Sequence, residues 1–277
     1  MTVGEAFEDL IFYDLPRLPR VGEELKTSRF ARVPGGGAIT TALTAARLGT
    51  RVGVISAVGD LARDRVRAAG IALTDLRRAA EAPALTVAIS TGRERTFVTY
   101  NGVNDVLEPR LLRRVPRVRA PHAHCAFYPA RCRRWIPVVR GLQRRGCAVS
   151  WDFGWNPPLK ADKAFQALLA VLDLVFVNEA EARLYASASS LTAAFAWWRA
   201  SCRATVVKLG RRGAARLTAR EVLRAPSQRV RAVDTTGAGD AFNGGYLAEL
   251  IRGGSAAECL RAGNEAGARS TRRAGGS

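Results

Sequence analysis

The stretch Asp234-Thr235-Thr236-Gly237-Ala238-Gly239-Asp240 constrains the fold and function of this chain more than any other segment. Two glycines separated by one small residue allow a backbone bend in which several N–H groups point the same way. The apolar spacing after Asp240 predicts a helix that starts at this residue. Helix N-termini and nests of backbone N–H groups bind phosphate, so Gly237, Ala238 and Gly239 are candidates to hold a phosphoryl group.

Asp240 is the candidate general base of this stretch. A carboxylate beside an anion site is electrostatically unfavourable, unless it accepts the proton of a hydroxyl that attacks the bound phosphorus. The structural alternative is an N-cap and a tight loop. Other phosphate motifs fit less well, because Phe242 replaces the third glycine of a dinucleotide fingerprint and the chain has no Gly-Lys pair for a Walker loop.

The motif Asp-Thr-Thr-Gly-Ala-Gly-Asp-Ala-Phe resembles the C-terminal signature of the ribokinase-like (PfkB-type) carbohydrate kinases. A second segment resembles the N-terminal signature of that family: three glycines at 35–37, a small-residue helix over 38–49 and a buried strand over 51–58. The resemblance implies a single α/β domain over residues 1–277, with α/β/α layers and a mostly parallel central sheet. It also implies a small β-sheet lid, built from about 10–33 and 84–101.

Length and composition agree with an α/β protein. The 277 residues can bury a full core, and 48% of them are hydrophobic but only 7% aromatic. The five cysteines are odd in number and contain no C-x-x-C pair, which favours a reducing cytoplasm over a disulfide framework or a zinc site. No signal-peptide core follows Met1, and no apolar run approaches the ~18 residues of a membrane span.

The formal net charge of +19 is the strongest oddity of the composition. Such a charge is compatible with nucleic acid, a membrane surface or anionic ligands as partners. The arginines are spread over nearly every segment, with short clusters at 110–119 and 131–134, so no specific nucleic-acid face is indicated. A basic nucleic-acid binder stays open as an alternative, and it predicts tight, steeply salt-dependent association with DNA or RNA.

The resemblance places the substrate in the N-terminal half. Asp9 corresponds to the acidic residue that binds sugar hydroxyls, and Gly36 and Gly37 correspond to the backbone that packs on the sugar. Thr40 stands where the family usually has an asparagine that binds a sugar hydroxyl. Threonine reaches less far and presents no amide, so this departure bears on which sugar is bound. Asn104 corresponds to a turn near the sugar, with an ordinary turn residue as the alternative.

Local patterns predict the elements around these residues. Residues 27–33 predict a short strand, and 61–70 a short helix. Leu85 to Ser90 and Arg95 to Tyr100 alternate around residues 91–94, which predicts a hairpin. Only three residues precede Gly4, so the first strand is very short or the start is truncated.

Apolar runs alternate with helical segments from Pro121 onward. This pattern predicts a parallel sheet covered on both faces, in which ligands gather at the carboxyl ends of the strands. The predicted elements are strands over 147–151, 174–177 and 205–209 and a helix over 164–172. Asn178, Lys208 and Gly210 therefore fall at strand ends, as does the loop 234–240.

Asn178 and Glu181 lie three apart, so they share one face of a helix that begins here. They are either an N-cap and a first-turn acid or functional groups. By the resemblance they organise Mg²⁺, usually through water; this ion keeps several waters and needs few protein oxygens. The resemblance further places Asn178, Lys208, Gly210 and Gly213 at the nucleotide, and Asn264 at its base. A solvent-facing lysine is the alternative for Lys208.

The predicted reaction transfers the γ-phosphoryl group of ATP to a hydroxyl of a small carbohydrate, expected to be a primary one. The predicted cofactors are ATP and Mg²⁺, and the family also includes members that use a monovalent cation or dimerise through the lid. No membrane or specific nucleic-acid partner is expected. Two alternatives stay open. A nucleoside kinase would need an aromatic or apolar platform near the lid. A catalytically impaired ligand-binding member is suggested by the short start, the shortened segment after Asp60 and Thr40, although the intact 234–240 motif argues against it.

Overall fold

A computed structural model describes residues 1–91, 95–231 and 234–272. The turn of the predicted hairpin, at 92–94, therefore lies outside the described residues. Within the described residues no helix combines the length and the apolar character that crossing a membrane requires.

The described residues form thirteen strands and nine α-helices. The strands are β1 (Thr2–Gly4), β2 (Phe7–Leu15), β3 (Phe30–Gly35), β4 (Gly53–Ser56), β5 (Ala72–Asp75), β6 (Leu85–Thr91), β7 (Arg95–Tyr100), β8 (His122–Ala126), β9 (Ala148–Asp152), β10 (Leu174–Asn178), β11 (Thr205–Lys208), β12 (Ala214–Leu217) and β13 (Val222–Ala225). The helices are α1 (Gly37–Arg47), α2 (Asp60–Ala68), α3 (Leu107–Arg114), α4 (Ile136–Gln143), α5 (Phe165–Val171), α6 (Glu179–Tyr185), α7 (Leu191–Ser201), α8 (Ala238–Ile251) and α9 (Ala256–Ser270).

A nine-stranded sheet forms the centre, in the order β13-β12-β11-β10-β9-β8-β1-β4-β5. The seven strands from β11 to β5 are parallel, and β12 and β13 add an antiparallel edge. This confirms the predicted α/β fold with a mostly parallel sheet. The predicted first strand is indeed short, since β1 has three residues.

Helices cover both faces of this sheet, as the alternation along β10 shows. Val175 and Val177 belong to the apolar cluster around Trp151, whereas Leu174 and Phe176 belong to a cluster with residues of α8 and α9. All four side chains are buried. A strand that is apolar on both sides needs this two-sided cover, and the cover fixes the positions of the strand ends that carry polar groups.

A separate four-stranded sheet has the order β3-β2-β6-β7 and is called the small sheet below. The predicted pairing of 85–90 with 95–100 is confirmed, with Val87 opposite Val98. The strand predicted over 27–33 lies further along the chain, at β3. The nine-residue strand β2 was not predicted, because the polar residues Glu8 and Asp9 interrupt its apolar pattern.

The helix after the glycine motif begins earlier than predicted. It starts at Ala238 rather than Asp240, with Gly237 as its N-cap residue in a left-handed conformation, φ 69°. A residue with a Cβ is strained at this φ, whereas glycine is not, so the helix can start two residues sooner. Asp240 consequently lies inside the first turn of α8 and is not its cap.

Candidate active site

Three neighbouring strands end in polar residues at the same edge of the central sheet. Asp152 ends β9, Asn178 ends β10 and Lys208 ends β11. In the parallel register Asn178 lies opposite Lys208, and Asp152 lies opposite Phe176, two residues before Asn178. The predicted grouping of strand ends is therefore present, with Asp152 as an additional member.

Asp152 and Lys208 form a buried ion pair, with 2.7 Å between Lys208 Nζ and Asp152 Oδ2. Asn243 of α8 joins them, because its Nδ2 donates to Asp152 Oδ2 at 2.7 Å and its Oδ1 lies 3.4 Å from Lys208 Nζ. Burial alone would raise the pKa of Asp152, but the Lys208 ammonium outweighs it and holds this pKa below its usual value. The pair thus stays charged and holds the ammonium in place.

The Lys208 ammonium lies against the glycine motif. A Cβ placed on Gly239 would be 3.1 Å from Lys208 Nζ, so glycine at this position permits the contact. The loop before the helix is ordered by Asp234, whose Oδ1 accepts from the backbone N and the hydroxyl of Thr236, at 2.9 and 2.8 Å. The first N–H groups of a helix have no partner within it, so residues 237–239 and the ammonium make a candidate anion-binding surface, in which Ala238 N donates to the Thr235 oxygen at 3.3 Å.

Asp240 lies between this surface and the N-terminus of α1. Its Oδ1 would be 3.1 Å from a Cβ on Gly37, and its backbone oxygen accepts from Thr41 Oγ1 at 3.1 Å. Burial raises the pKa of Asp240 to about 7, Asp152 and Asp9 act in the same direction, and Lys208 opposes them. A carboxyl with a pKa near neutrality can take up a proton and release it again, as a general base must.

The glycines before α1 bring three segments together. A Cβ on Gly36 would be 2.5 Å from the oxygen of Glu5, and one on Gly37 would be 2.8 Å from the Ala126 side chain. Thr40, one turn into α1, is buried, and its methyl group would be 3.3 Å from a Cβ on Gly237. The predicted substrate residues Gly36, Gly37 and Thr40 thus lie beside the glycine motif.

Asp9 reaches the same region from β2. A Cβ on Gly35 would overlap its carboxylate, which places the Asp9 side chain directly over the glycine run. Burial, and then the Asp234 carboxylate, raise the pKa of Asp9 to about 6. The Asp9 charge is also one of the smaller causes that raise the pKa of Asp240.

Asn178 and Glu181 make a reciprocal capping box at the start of α6. Glu181 N donates to Asn178 Oδ1 at 2.9 Å, and Asn178 N donates to Glu181 Oε2 at 2.8 Å. Asn178 therefore does act as the N-cap of α6, which was the alternative to a functional role. Glu181 is also buried, and burial, followed by the Asp152 charge, raises its pKa to about 7. Among described residues its Oε1 makes no hydrogen bond, so one carboxylate oxygen remains for a ligand.

Two of the predicted nucleotide residues, Gly213 and Asn264, lie at the end of β13. Gly210 and Gly213 flank a short 3₁₀ turn after β11, and a Cβ on Gly213 would overlap the oxygen of Ala225. Asn264 of α9 donates from Nδ2 to the oxygens of Ala225 and Pro226, both at 3.1 Å. Gly213 and Asn264 therefore share one backbone segment, at 225–226.

The buried Asn104 lies on the other side of the site. Its Nδ2 donates to the oxygen of Ala6 at 3.2 Å, which ties the turn after the small sheet to the segment between β1 and β2. Its Oδ1 is buried and has no hydrogen-bond partner.

A model of the pfkB family of carbohydrate kinases matches residues 1–277. The chain belongs to this family. The match covers both signatures and every predicted site residue, and the kinases of this family act on sugars and nucleosides.

Relatives from several organisms agree with this membership. Aminoimidazole riboside kinase of Salmonella typhimurium is 28% identical over 82% of this chain and 76% of its own length. An ATP-dependent ribose-1-phosphate kinase of Halopiger xanaduensis is 28% identical over 94% of this chain and 87% of its own length. Ribokinase of Arabidopsis thaliana, solved with ribose and ATP, superposes with a TM-score of 0.78 at 21% identity, covering 99% of this chain and 92% of that chain. The last comparison shows the ribokinase-like fold alone.

Two polar residues of this pfkB-family site were not predicted. These residues are Asp152 and Asn243. A signal exists for each. Asp152 ends an apolar strand as Asn178 does, and Asn243 follows Asp240 by three residues and so shares its helix face. Their pairing with Lys208 depends on strand order and helix docking, which the local sequence does not encode.

Proposed function

We propose that this chain is an ATP-dependent sugar kinase, which transfers the γ-phosphoryl group of ATP to a hydroxyl, a primary one, of a small carbohydrate. The observation that carries the proposal is the position of Asp240. Its half-buried carboxyl, with a pKa raised to about 7, lies between the glycines that begin α1 and the Lys208 ammonium over the glycine motif.

In the proposed reaction the acceptor lies on the backbone of Gly36 and Gly37, oriented by Asp9 and Thr40. Its hydroxyl oxygen bonds to the γ-phosphorus while the bond from this phosphorus to the β–γ bridging oxygen breaks, and ADP leaves. The hydroxyl proton passes to Asp240. In water-excluded surroundings, fixed N–H groups and a paired ammonium stabilise charge on the transferring group without reorganising.

At the start of α8 the N–H groups of Gly237, Ala238 and Gly239 take this stabilising role, together with Lys208. The Ala238 N–H, which donates to the Thr235 oxygen at 3.3 Å, would be shared with the phosphoryl group. The nucleotide would extend from there past Asn178 toward Gly210, Gly213 and Asn264, where the end of β13 offers backbone groups to the base. The antiparallel strands β12 and β13 form the edge of the central sheet at this place.

The donor set at α6 fits Mg²⁺ held mainly through water. Glu181 offers one buried carboxylate oxygen, whereas Asn178 Oδ1 already accepts a hydrogen bond. The described residues contain no cluster of three metal-ligating side chains, and Mg²⁺ bound to phosphates needs none. When bound, the ion would neutralise charge on the phosphates; Glu181, with Asn178, would hold its water shell.

The small sheet is the proposed lid of this single domain. Asp9 lies on β2, so movement of the sheet toward the central sheet would close the acceptor between Asp9 and Asp240. Closure would exclude water, which otherwise competes with the acceptor for the phosphoryl group.

The test is a coupled ATPase screen with Mg²⁺ over sugars, sugar acids and nucleosides. We expect ADP formation that depends on one acceptor class and a phosphorylated product of matching mass. ATP turnover without acceptor dependence, or none with any acceptor, would contradict the proposal.

A nucleoside kinase is the second candidate, and one observation favours it. Phe97 of β7 lies in register with Ala88 and Ile11, on the same face of the small sheet as Asp9, and it is half exposed. This aromatic side chain is the platform that a nucleoside base would require. Faster turnover of a riboside than of free ribose in the screen, lost in Phe97→Ala, would favour this candidate.

A further inference from the structure

A pocket of about 200 Å³ lies beside the proposed acceptor site. Glu5, just after β1, forms one wall, and Asn104 and Asp105 of the turn after the small sheet form another. Tyr128, after β8, contributes an aromatic side, and the apolar Leu111 lies at the base. None of these residues has a part in the phosphoryl transfer described above, apart from the predicted substrate contact of Asn104.

Direct contacts connect the pocket to the proposed base. Glu5 N donates to the oxygen of Ala126 at 3.3 Å, and the Ala126 side chain is 2.8 Å from the Cβ position of Gly37. From that same position Asp240 Oδ1 is 3.1 Å away. Through Ala126 the pocket is thus adjacent to the place where an acceptor on Gly37 would present one hydroxyl to Asp240.

Within the residues that the structure describes, two acceptor side chains of the pocket, those of Asn104 and Glu5, lack a donor, whereas Glu108 accepts from Ala130 N at 3.0 Å and from Trp135 Nε1 at 2.7 Å. Asn104 Oδ1 is buried without a hydrogen bond. Among the described residues no donor or cation pairs with the Glu5 carboxylate, and Asp105 accepts only from the amide of Asn101. Burial, and then the Asp105 charge, raise the pKa of Glu5 to about 7. A buried acceptor without a hydrogen bond is unfavourable, and a ligand that donates to it would remove this cost.

The charge of the pocket is opposite to that of the chain. Although 43 residues of the sequence are Lys or Arg, none in the described part of the chain lines this pocket, whereas Glu5, Asp105 and Glu108 do. By contrast, a cavity of about 700 Å³ between α1, α8 and α9 has five arginines in its lining. An anionic substituent would therefore be repelled at the pocket, and a cationic one would be attracted.

We infer that this pocket binds the end of the acceptor remote from the phosphorylated hydroxyl, and that this end carries hydrogen-bond donors, above all a protonated amine. The inference rests on the proposed function, since it assumes that the hydroxyl is presented to Asp240. It assigns the substrate to amine-bearing sugars or ribosides, and it excludes sugar acids and sugar phosphates whose anionic group would lie in this pocket.

The test measures binding separately from turnover. Isothermal titration with a non-hydrolysable ATP analogue and Mg²⁺ would compare D-glucosamine with D-glucose, N-acetyl-D-glucosamine and D-gluconate. For ribosides it would compare adenosine, which carries an amino group, with inosine, which lacks it. We expect D-glucosamine to bind about 10- to 100-fold more tightly than D-glucose, and adenosine to exceed inosine by a similar factor, because each amino group donates a hydrogen bond to an acceptor that otherwise lacks a donor. D-gluconate should bind most weakly.

One variant in the pocket and one control variant test whether the preference for the amine arises in the pocket. Glu5→Gln should remove most of the preference for the amine over its parent, whereas Glu24→Gln, at a side chain that is 81% exposed, should leave this preference unchanged. Equal binding of amine and parent in both series, tighter binding of gluconate, or an unchanged preference in Glu5→Gln would overturn the inference. Amine-selective binding without ATP-dependent turnover would instead contradict the proposed function alone.

Discussion

At the scale of single residues, the site holds more acid than its one ammonium can balance. Lys208 pairs directly with Asp152, whose pKa stays below its usual value, and leaves Asp240 and Glu181 with pKa values raised to about 7. One carboxylate therefore stays charged and positions the lysine, while Asp240 can exchange a proton. The sequence predicted Asp240 from its motif, but Asp152 acquires its role only when β9 lies beside β10.

Asp240→Asn should stabilise the fold at pH 8. The pKa of Asp240 is raised by folding, so the stability associated with its neutral form is fully present below the unfolded value near 4 and is lost as pH rises through 7. Asparagine keeps the neutral form at every pH. We expect a gain of about 1–3 kcal/mol in unfolding free energy at pH 8 and almost none near pH 4, measured by urea denaturation. Equal effects at both pH values would contradict the raised pKa.

Lys208→Met should be strongly destabilising, because it leaves the buried Asp152 carboxylate without its cation. We expect a loss of about 3–5 kcal/mol in unfolding free energy, measured by urea denaturation. The matched control is Arg203→Met, which removes the cation of the ion pair with Asp173; the Arg203 side chain is 78% exposed, so less than about 1 kcal/mol should be lost. Similar losses in both variants would show that the Lys208 pair contributes no more than a surface pair.

At the scale of elements, the local sequence predicted those whose apolar pattern is continuous. The strands 85–90 and 95–100, the helix 61–70 and the parallel strands after Pro121 match the structure closely. The strand β2 was not predicted because Glu8 and Asp9 interrupt its apolar pattern; Glu8 is buried and pairs with Arg32, which is distant in sequence. The early start of α8 likewise depends on one left-handed glycine.

Glu181→Gln tests whether the start of α6 does more than cap a helix. Glutamine also completes a capping box, so the fold should be retained, while the carboxylate proposed to hold the Mg²⁺ water shell is lost. We expect the Mg²⁺ concentration for half-maximal activity to rise about tenfold, measured by Mg²⁺ titration of ATP turnover.

Glu258→Gln is the control, since Glu258 and Ser255 form the same capping box at α9. This variant should leave the Mg²⁺ requirement unchanged. If Glu181→Gln behaved like the control, Glu181 would have a capping role only.

At the scale of the whole molecule, the small sheet has two different faces. The register places Asp9, Ile11 and Phe97 on the face that contains the substrate acid. The opposite face carries Phe30, Val98 and Tyr100, which are 51, 68 and 58% exposed. The alternation along β7 predicted its strand character from sequence, but the two faces become distinct only through pairing with β2 and β6.

This exposed apolar face should mediate a homodimer through the small sheet. A second copy would cover the same side chains, as an isologous interface requires. We expect a dimer in sedimentation velocity at micromolar concentration, and a monomer for Val98→Lys. The control Val21→Lys alters a fully exposed valine outside the strands and should remain dimeric. A monomeric native protein would contradict this prediction.

The most direct test of the account is the turnover of Asp240→Asn with the acceptor found in the screen. We predict that kcat falls by roughly 10² to 10⁴ while the variant remains folded, because asparagine cannot take up the hydroxyl proton. In the native protein kcat/KM should decline below a pH of about 7, where Asp240 becomes protonated. Near-normal turnover by the folded variant would contradict the assignment of Asp240 as the base.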